Sequence, residues 1–111
     1  NCILVDDIID TAGTISGAAK ALKHKGAKDV YVCATHALLS GNAVEKLSIP
    51  EIKKVIITNS IFLEPQKRFS QLTVISLASI LAESINTIFE GKAMGLVFDR
   101  LYHKVEEKRN T

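Results

Sequence analysis

Aromatic side chains are scarce in this chain, 5% of 111 residues and no Trp among them. So few rings argue against the stacking platforms that hold single-stranded nucleic acid. A dominant charge is also missing. Fourteen Lys and Arg face 12 Asp and Glu, and the formal net charge of +2 is too small for a nucleic-acid footprint. No apolar run approaches the roughly 20 residues that a membrane helix needs. The first residues show no signal-peptide pattern. Cysteine is limited to Cys2 and Cys33, both within apolar strand-like runs. With no C-x-x-C and no Cys/His ligand spacing, a zinc site is unsupported, and two reduced core thiols are expected. These absences predict a cytoplasmic setting with neither nucleic acid nor membrane as partner. No internal repeat or low-complexity segment is present.

What is there is ordinary for a soluble globular protein: 47% hydrophobic and 23% charged residues. The length allows one domain at most. The most informative stretch is CILVDDIIDTAGTI, Cys2 to Ile15. An apolar run, Ile3-Leu4-Val5, leads to Asp6 and Asp7. A small-residue loop follows, Asp10-Thr11-Ala12-Gly13-Thr14, and a helical pattern starts at Ile15. The expected geometry is a central, buried strand that runs into a tight loop and opens a helix.

That geometry suits a phosphate monoester. The first helical turn has backbone N–H groups without internal partners, and the macrodipole adds partial positive charge there. An anion is stabilised at such a point without Lys or Arg. Gly13 admits close approach of the backbone and a positive φ if the turn requires one. Thr11 and Thr14 offer hydroxyl donors. Asp6 and Asp7 have the wrong charge for phosphate, but they suit sugar hydroxyls or a Mg²⁺ ion held directly or through water. A phosphate nest beside paired acids describes a sugar-phosphate site.

The rest of the chain continues in α/β fashion. Residues 14–26 read as an amphipathic helix with Ile15, Ala18, Ala19 and Leu22 inward and Gly26 as its stop. Val30 to Ala34 reads as a parallel strand buried on both faces. A right-handed βαβ unit then places the Asp10–Thr14 loop at the C-terminal edge of the sheet, where open α/β sheets bind ligands. His36 follows that strand and reads first as a packing or hydrogen-bonding residue. Asn42 to Leu47 is a short helix. Val55 to Thr58 and Leu72 to Ile75 are further strands. Ser76 is the expected N-cap of a helix reaching about Glu90, with Leu77, Ile80, Leu81, Ile85 and Ile88 as a core stripe and Gly91 as the stop. Met94 to Phe98 reads as a last strand, and Asp99 to Thr111 as a solvated helix end or tail. One domain over 1–98 and a charged tail over 99–111 are expected.

Several segments carry a family resemblance. VDDIIDTAGT, at Val5–Thr14, resembles the ribose 5-phosphate loop of the type I phosphoribosyltransferase fold. Among families of that fold it most resembles ribose-phosphate pyrophosphokinase, also called phosphoribosyl diphosphate synthetase. THALLSG, at Thr35–Gly41, resembles the family's THG-x-x-SG element, with Ala37 where Gly is usual. Thr58-Asn59-Ser60 resembles the TNT segment, with Phe62 at a usual Pro. LASILAESI, at Leu77–Ile85, resembles a family helix, with Ser76 at a usual Asp. Ala93 and Gly95 stand where the family often has serines that help bind a regulatory nucleotide or phosphate, which puts that regulation in doubt.

The resemblance implies a parallel-sheet, phosphoribosyltransferase-like (Rossmann-like) domain truncated at its N-terminus. Asn1 and Cys2 lead straight into the strand, and family members have two to three times this length, so a C-terminal fragment is expected. The implied reaction transfers diphosphate from Mg-ATP to the 1-hydroxyl of ribose 5-phosphate, giving phosphoribosyl diphosphate and AMP. Asp10, Thr11, Ala12, Gly13 and Thr14 would grip the 5-phosphate. Asp6 and Asp7 would hold the ribose hydroxyls and Mg²⁺. The ATP site and catalytic loop lie upstream in the family, so no catalytic residue is assigned within 1–111 and the fragment alone is expected to be inactive. A homo-oligomer is implied, the hexamer being the family's usual form. Two alternatives stay open: a phosphoribosyltransferase that consumes phosphoribosyl diphosphate, and a non-catalytic regulatory subunit associated with the synthetase.

Overall fold

A computed structural model describes all 111 residues. Residues Asn1–Ser76 and Leu77–Thr111 form two compact units, described in turn.

The first unit is a four-stranded, all-parallel sheet in the order β1-β2-β3-β4. The strands are β1 (Cys2–Ile9), β2 (Val30–Ala37), β3 (Lys54–Thr58) and β4 (Leu72–Ile75). Helix α1 (Gly13–His24) connects β1 to β2, and the single turn α2 (Ala43–Leu47) lies between β2 and β3. A 3-10 turn at Pro65–Lys67 precedes β4. The register pairs Leu4 with Val32 and Asp6 with Ala34 across β1 and β2, and Val32 with Val55 across β2 and β3.

The core lies on one face of this sheet. Val30, Val32, Ala34, Val55 and Ile57 project from alternate strand positions and pack with Ala19 of α1 and with Ala43 and Leu47 of α2. Small residues on the helices let them lie close to the branched side chains of the strands. The opposite face is different: Val5 is 78% exposed, and Ile75 is exposed as well. The reading of the first strand as central and buried is therefore corrected. Strand β1 has one hydrogen-bonded neighbour, β2, and forms a sheet edge. Likewise β2 is deeply buried on one face only, with Tyr31 and Cys33 half-buried on the other. Cys2 and Cys33 are free thiols.

Helix α1 ends where its sequence says it should. Gly26 takes a φ of 96°. Its N–H donates to the Lys23 carbonyl at 3.0 Å, and that of Ala27 to Leu22 at 3.0 Å. That bond pair is the Schellman stop, which satisfies carbonyls the helix leaves open.

The second unit is a pair of helices, α3 (Ala78–Phe89) and α4 (Gly95–Asn110). Gly91, at φ 68°, closes α3 in the same way as Gly26 closes α1. Three expectations are corrected here. Met94 to Phe98 is no strand: α4 starts at Gly95 and runs through the charged segment. A short apolar run fits either element by itself, and the helix-forming residues that follow decide for helix. The N-cap position of α3 falls on Leu77, not Ser76, and carries no side-chain cap bond. The expected core stripe is largely surface, because Leu81, Ile85 and Ile88 are exposed. The side chains turned inward are Ile80, Glu83, Ser84 and Thr87, and Glu83 links α3 to Lys104 of α4 at 3.4 Å.

Candidate functional site

The strand β1 delivers the chain to the C-terminal edge of the parallel sheet, and the turn into α1 is made there. Asp6, Asp10, Thr11, Ala12, Gly13 and Thr14 line one cavity of about 180 Å³, together with Ile8, Ile9 and Ile15. Six of the seven residues expected to form the site are thus brought together. Asp7 is not among the residues around this cavity.

The turn depends on Ala12. Its φ is 64° and its ψ 11°, the left-handed region, and it is 6% exposed. The positive φ anticipated for Gly13 lies one residue earlier, on a residue with a Cβ. Such a conformation costs a non-glycine residue on the order of 1 kcal/mol, and the buried methyl helps offset that cost. Ala12 is the N-cap position of α1; no side chain caps the helix, and its first turn holds no acidic residue. The helix start therefore keeps its partial positive charge directed at the cavity.

Asp6 and Asp7 sit inside β1, since the strand continues to Ile9. Both are exposed. Asp6 Oδ1 accepts a hydrogen bond from the backbone N–H of Asp7 at 2.8 Å. The Asp7 carboxyl is held below the usual carboxylate range, first by its hydrogen bond with the Asp6 side chain, then by backbone N–H groups; His36 adds a smaller attraction. The two acids behave as one anionic feature, of which Asp6 is the part facing the loop cavity.

The loop is braced by the segment after β2. The N–H of Leu38 donates to the Ile9 carbonyl at 2.9 Å, and that of Ser40 to the Asp10 carbonyl at 3.0 Å. Leu39 makes this possible with a φ of 52°, and its side chain is fully buried. Sequence reasoning missed these bracing residues as functional positions, although the THALLSG segment marked their place. His36 follows its hydrogen-bonding reading: its Nδ1 lies 2.7 Å from Ser60 Oγ. Thr58 Oγ1 donates to the Thr35 carbonyl at 2.5 Å, which ties the ends of β2 and β3 together beside the loop.

Architecture and site together define an α/β protein with a cavity-forming loop at the C-terminal edge of a parallel sheet, at the uncapped start of a helix. Residues 1–99 match the family model of the phosphoribosyl synthetase-associated domain, and the chain belongs to that family. It is 46% identical over 97 residues to ribose-phosphate pyrophosphokinase of Bacillus caldolyticus, covering 87% of this chain and 31% of that protein. The protein of the same name in Staphylococcus haemolyticus is 50% identical over 97 residues, with 87% and 30% covered. The crystal structure of phosphoribosylpyrophosphate synthetase from Mycobacterium smegmatis superposes with a TM-score of 0.79 at 49% identity, over 81% of this chain and 30% of that one. The chain thus spans 30–31% of the length of these relatives.

Proposed function

We propose that this chain is the ribose 5-phosphate-binding part of a ribose-phosphate diphosphokinase. The observation that carries the reading is the cavity where Asp6 meets the Asp10–Thr14 turn at the uncapped start of α1. The relatives' name, ribose-phosphate pyrophosphokinase, supports it.

In this reading, backbone N–H groups of the Thr11–Thr14 turn and the hydroxyls of Thr11 and Thr14 take the 5-phosphate. Asp6 accepts hydrogen bonds from the ribose hydroxyls, and Asp7 holds Asp6 in place through its N–H. Holding the sugar at both ends orients the 1-hydroxyl toward the diphosphoryl group of ATP. Orientation of this kind supplies much of the catalysis in phosphoryl-type transfer. Two adjacent exposed carboxylates suit Mg²⁺, which takes one or two carboxylates and fills the rest of its shell with water and substrate oxygens. The proposal is for an ion that arrives with its substrate. When bound, Mg²⁺ supplies charge neutralisation for the transferred group.

The donor half, with most of the ATP site and the catalytic cations, belongs to sequence outside these 111 residues. The working enzyme is then a longer chain, a cytoplasmic homo-oligomer of the hexameric kind. The test follows ³¹P resonances during incubation with ribose 5-phosphate and Mg-ATP. The longer gene product should give AMP and phosphoribosyl diphosphate, while residues 1–111 alone bind ribose 5-phosphate without turnover. Binding without turnover by the longer product would favour a regulatory subunit. Consumption of added phosphoribosyl diphosphate with a nucleobase would make the protein a transferase.

A further inference from the structure

We infer that Lys46 is an additional phosphate-binding residue of the loop, reaching it from α2. The inference rests on the sugar-phosphate reading above and names a group which that reading did not include.

The position of Lys46 carries the argument. A Cβ built on Gly13 would lie 3.7 Å from Lys46 Nζ, so the ammonium stands directly against the turn. Lys46 is half-buried. It takes part in none of the protein's four ion pairs, and its side chain makes no hydrogen bond in the protein. Its place is set by packing. Ala43 and Leu47 of α2 are fully buried against the sheet, and Lys46 N–H donates to the Asn42 carbonyl at 3.1 Å. The helix turn therefore holds the lysine stem toward α1.

Electrostatics make that arrangement unfavourable without a ligand. The ammonium faces the N-terminal end of α1, where the helix carries partial positive charge, and no acidic residue sits in that first turn. Lys46 also lies in the last turn of α2, where a cation is favoured, but a five-residue helix offers only a weak dipole. Asp6 and Asp10 line the cavity at this turn but neither pairs with Lys46, and one anion that touches both the helix start and the ammonium relieves the two positive features. A phosphate monoester seated on the turn does so. Lys46 is outside the immediate lining of the cavity, and in this proposal its flexible four-carbon stem swings the ammonium onto a bound phosphate. The lysine thereby selects for the dianionic phosphate end of the sugar, whereas Asp6 and Asp7 serve the hydroxyl end.

Calorimetric titration of the 111-residue chain and its variants with ribose 5-phosphate, inorganic phosphate and unphosphorylated ribose tests the inference. Lys46→Met should weaken ribose 5-phosphate and inorganic phosphate on the order of ten-fold, the loss expected for one charge-assisted hydrogen bond. Ribose binding should be unchanged, and Lys46→Arg should restore most of the loss. The Lys46→Met thermal midpoint without ligand should stay level or rise, as relief of the repulsion requires. Wild-type binding with equal affinity in Lys46→Met would overturn the role of Lys46 alone. Failure of the wild-type chain to bind ribose 5-phosphate would overturn the underlying sugar-phosphate reading, and this inference with it.

Discussion

His36 Nδ1 and Ser60 Oγ lie 2.7 Å apart, joining the end of β2 to the turn after β3. The serine hydroxyl has one proton, and Ser60 Oγ donates it to the Thr35 carbonyl at 3.2 Å. Ser60 must then accept from His36, so Nδ1 carries the imidazole proton in the neutral ring. Nε2 is left as the ring's acceptor.

This assignment predicts a tautomer. In ¹⁵N NMR of the histidine side chains at neutral pH, His36 should show a protonated Nδ1 and a bare Nε2. Ser60→Ala removes the acceptor, and the proton should redistribute toward Nε2. The accompanying stability loss should be about 1 kcal/mol, the usual worth of one hydrogen bond. A wild-type spectrum with Nε2 protonated would reverse the donor and acceptor roles of His36 and Ser60.

Ala12 and Gly13 should respond oppositely to an added side chain. Gly13 has no positive φ, and a methyl there would meet only Lys46 Nζ at ordinary contact distance. Gly13→Ala should leave urea stability level or raise it by about 0.5 kcal/mol, since alanine favours a helix start over glycine. If the turn binds phosphate through its backbone, the same variant weakens ribose 5-phosphate. Ala12→Val puts a β-branched side chain in the left-handed region and should cost about 2 kcal/mol or more. Equal stabilities for the two variants would contradict the observed backbone.

The sequence displays this site better than it displays the strain in it. Asp10 to Thr14 reads directly as a loop between an apolar run and a helical period, and the structure gathers those residues on one cavity. The left-handed residues were not legible, because Ala12 and Leu39 are types that avoid positive φ. Tertiary bonds override the local preference: the N–H groups of Leu38 and Ser40 must reach Ile9 and Asp10. The four strands were legible from apolar runs and their punctuation. Which face each buries was not, since hydrophobicity reports that a residue can be covered, not what covers it. The same gap explains Val5 on β1 and Ile85 on α3, both apolar and both exposed.

The end of the sheet away from the loop holds a charge pair with a defined pH signature. Lys53 Nζ lies 2.9 Å from Asp29 Oδ2. Lys53 holds the Asp29 carboxyl below the usual range, and Asp29 holds the Lys53 ammonium above its usual value. A lowered carboxyl stabilises the fold above its unfolded value, and that contribution is lost as pH falls through the folded value. A raised ammonium stabilises below its unfolded value, and the contribution is lost as pH rises through the folded one. The stability difference between wild type and Lys53→Met should thus be flat from about pH 5 to 9. It should shrink below about pH 4 and above about pH 10. The difference will be small, because Lys53 is largely open to solvent, although Asp29 is half-buried. Urea midpoints across that pH range check it, and a difference that grows at either extreme would exclude the pair as its source.

The apolar stripe of α3 offers the sharpest division between what periodicity suggests and what the fold does. Ile85 is 66% exposed and Ile88 64% exposed, while Thr87 between them is buried. The inward line instead runs through the half-buried Ile80, Glu83 and Ser84 and the buried Thr87. Thr87 Oγ1 donates to the Glu83 carbonyl at 2.7 Å, so the buried threonine hydroxyl is satisfied within the helix. Replacing a core isoleucine by a charged residue would unfold a chain of this size, since even truncation to alanine costs about 2–5 kcal/mol. At surface positions the same change stays within about 0.5 kcal/mol. Ile85→Lys combined with Ile88→Glu should therefore keep the helical circular dichroism and the urea midpoint of the 111-residue chain. It should also reduce any self-association seen by sedimentation velocity, because a row of exposed isoleucines is an apolar surface that copies can share. A cooperative loss of structure in the double variant would place the stripe back in a core.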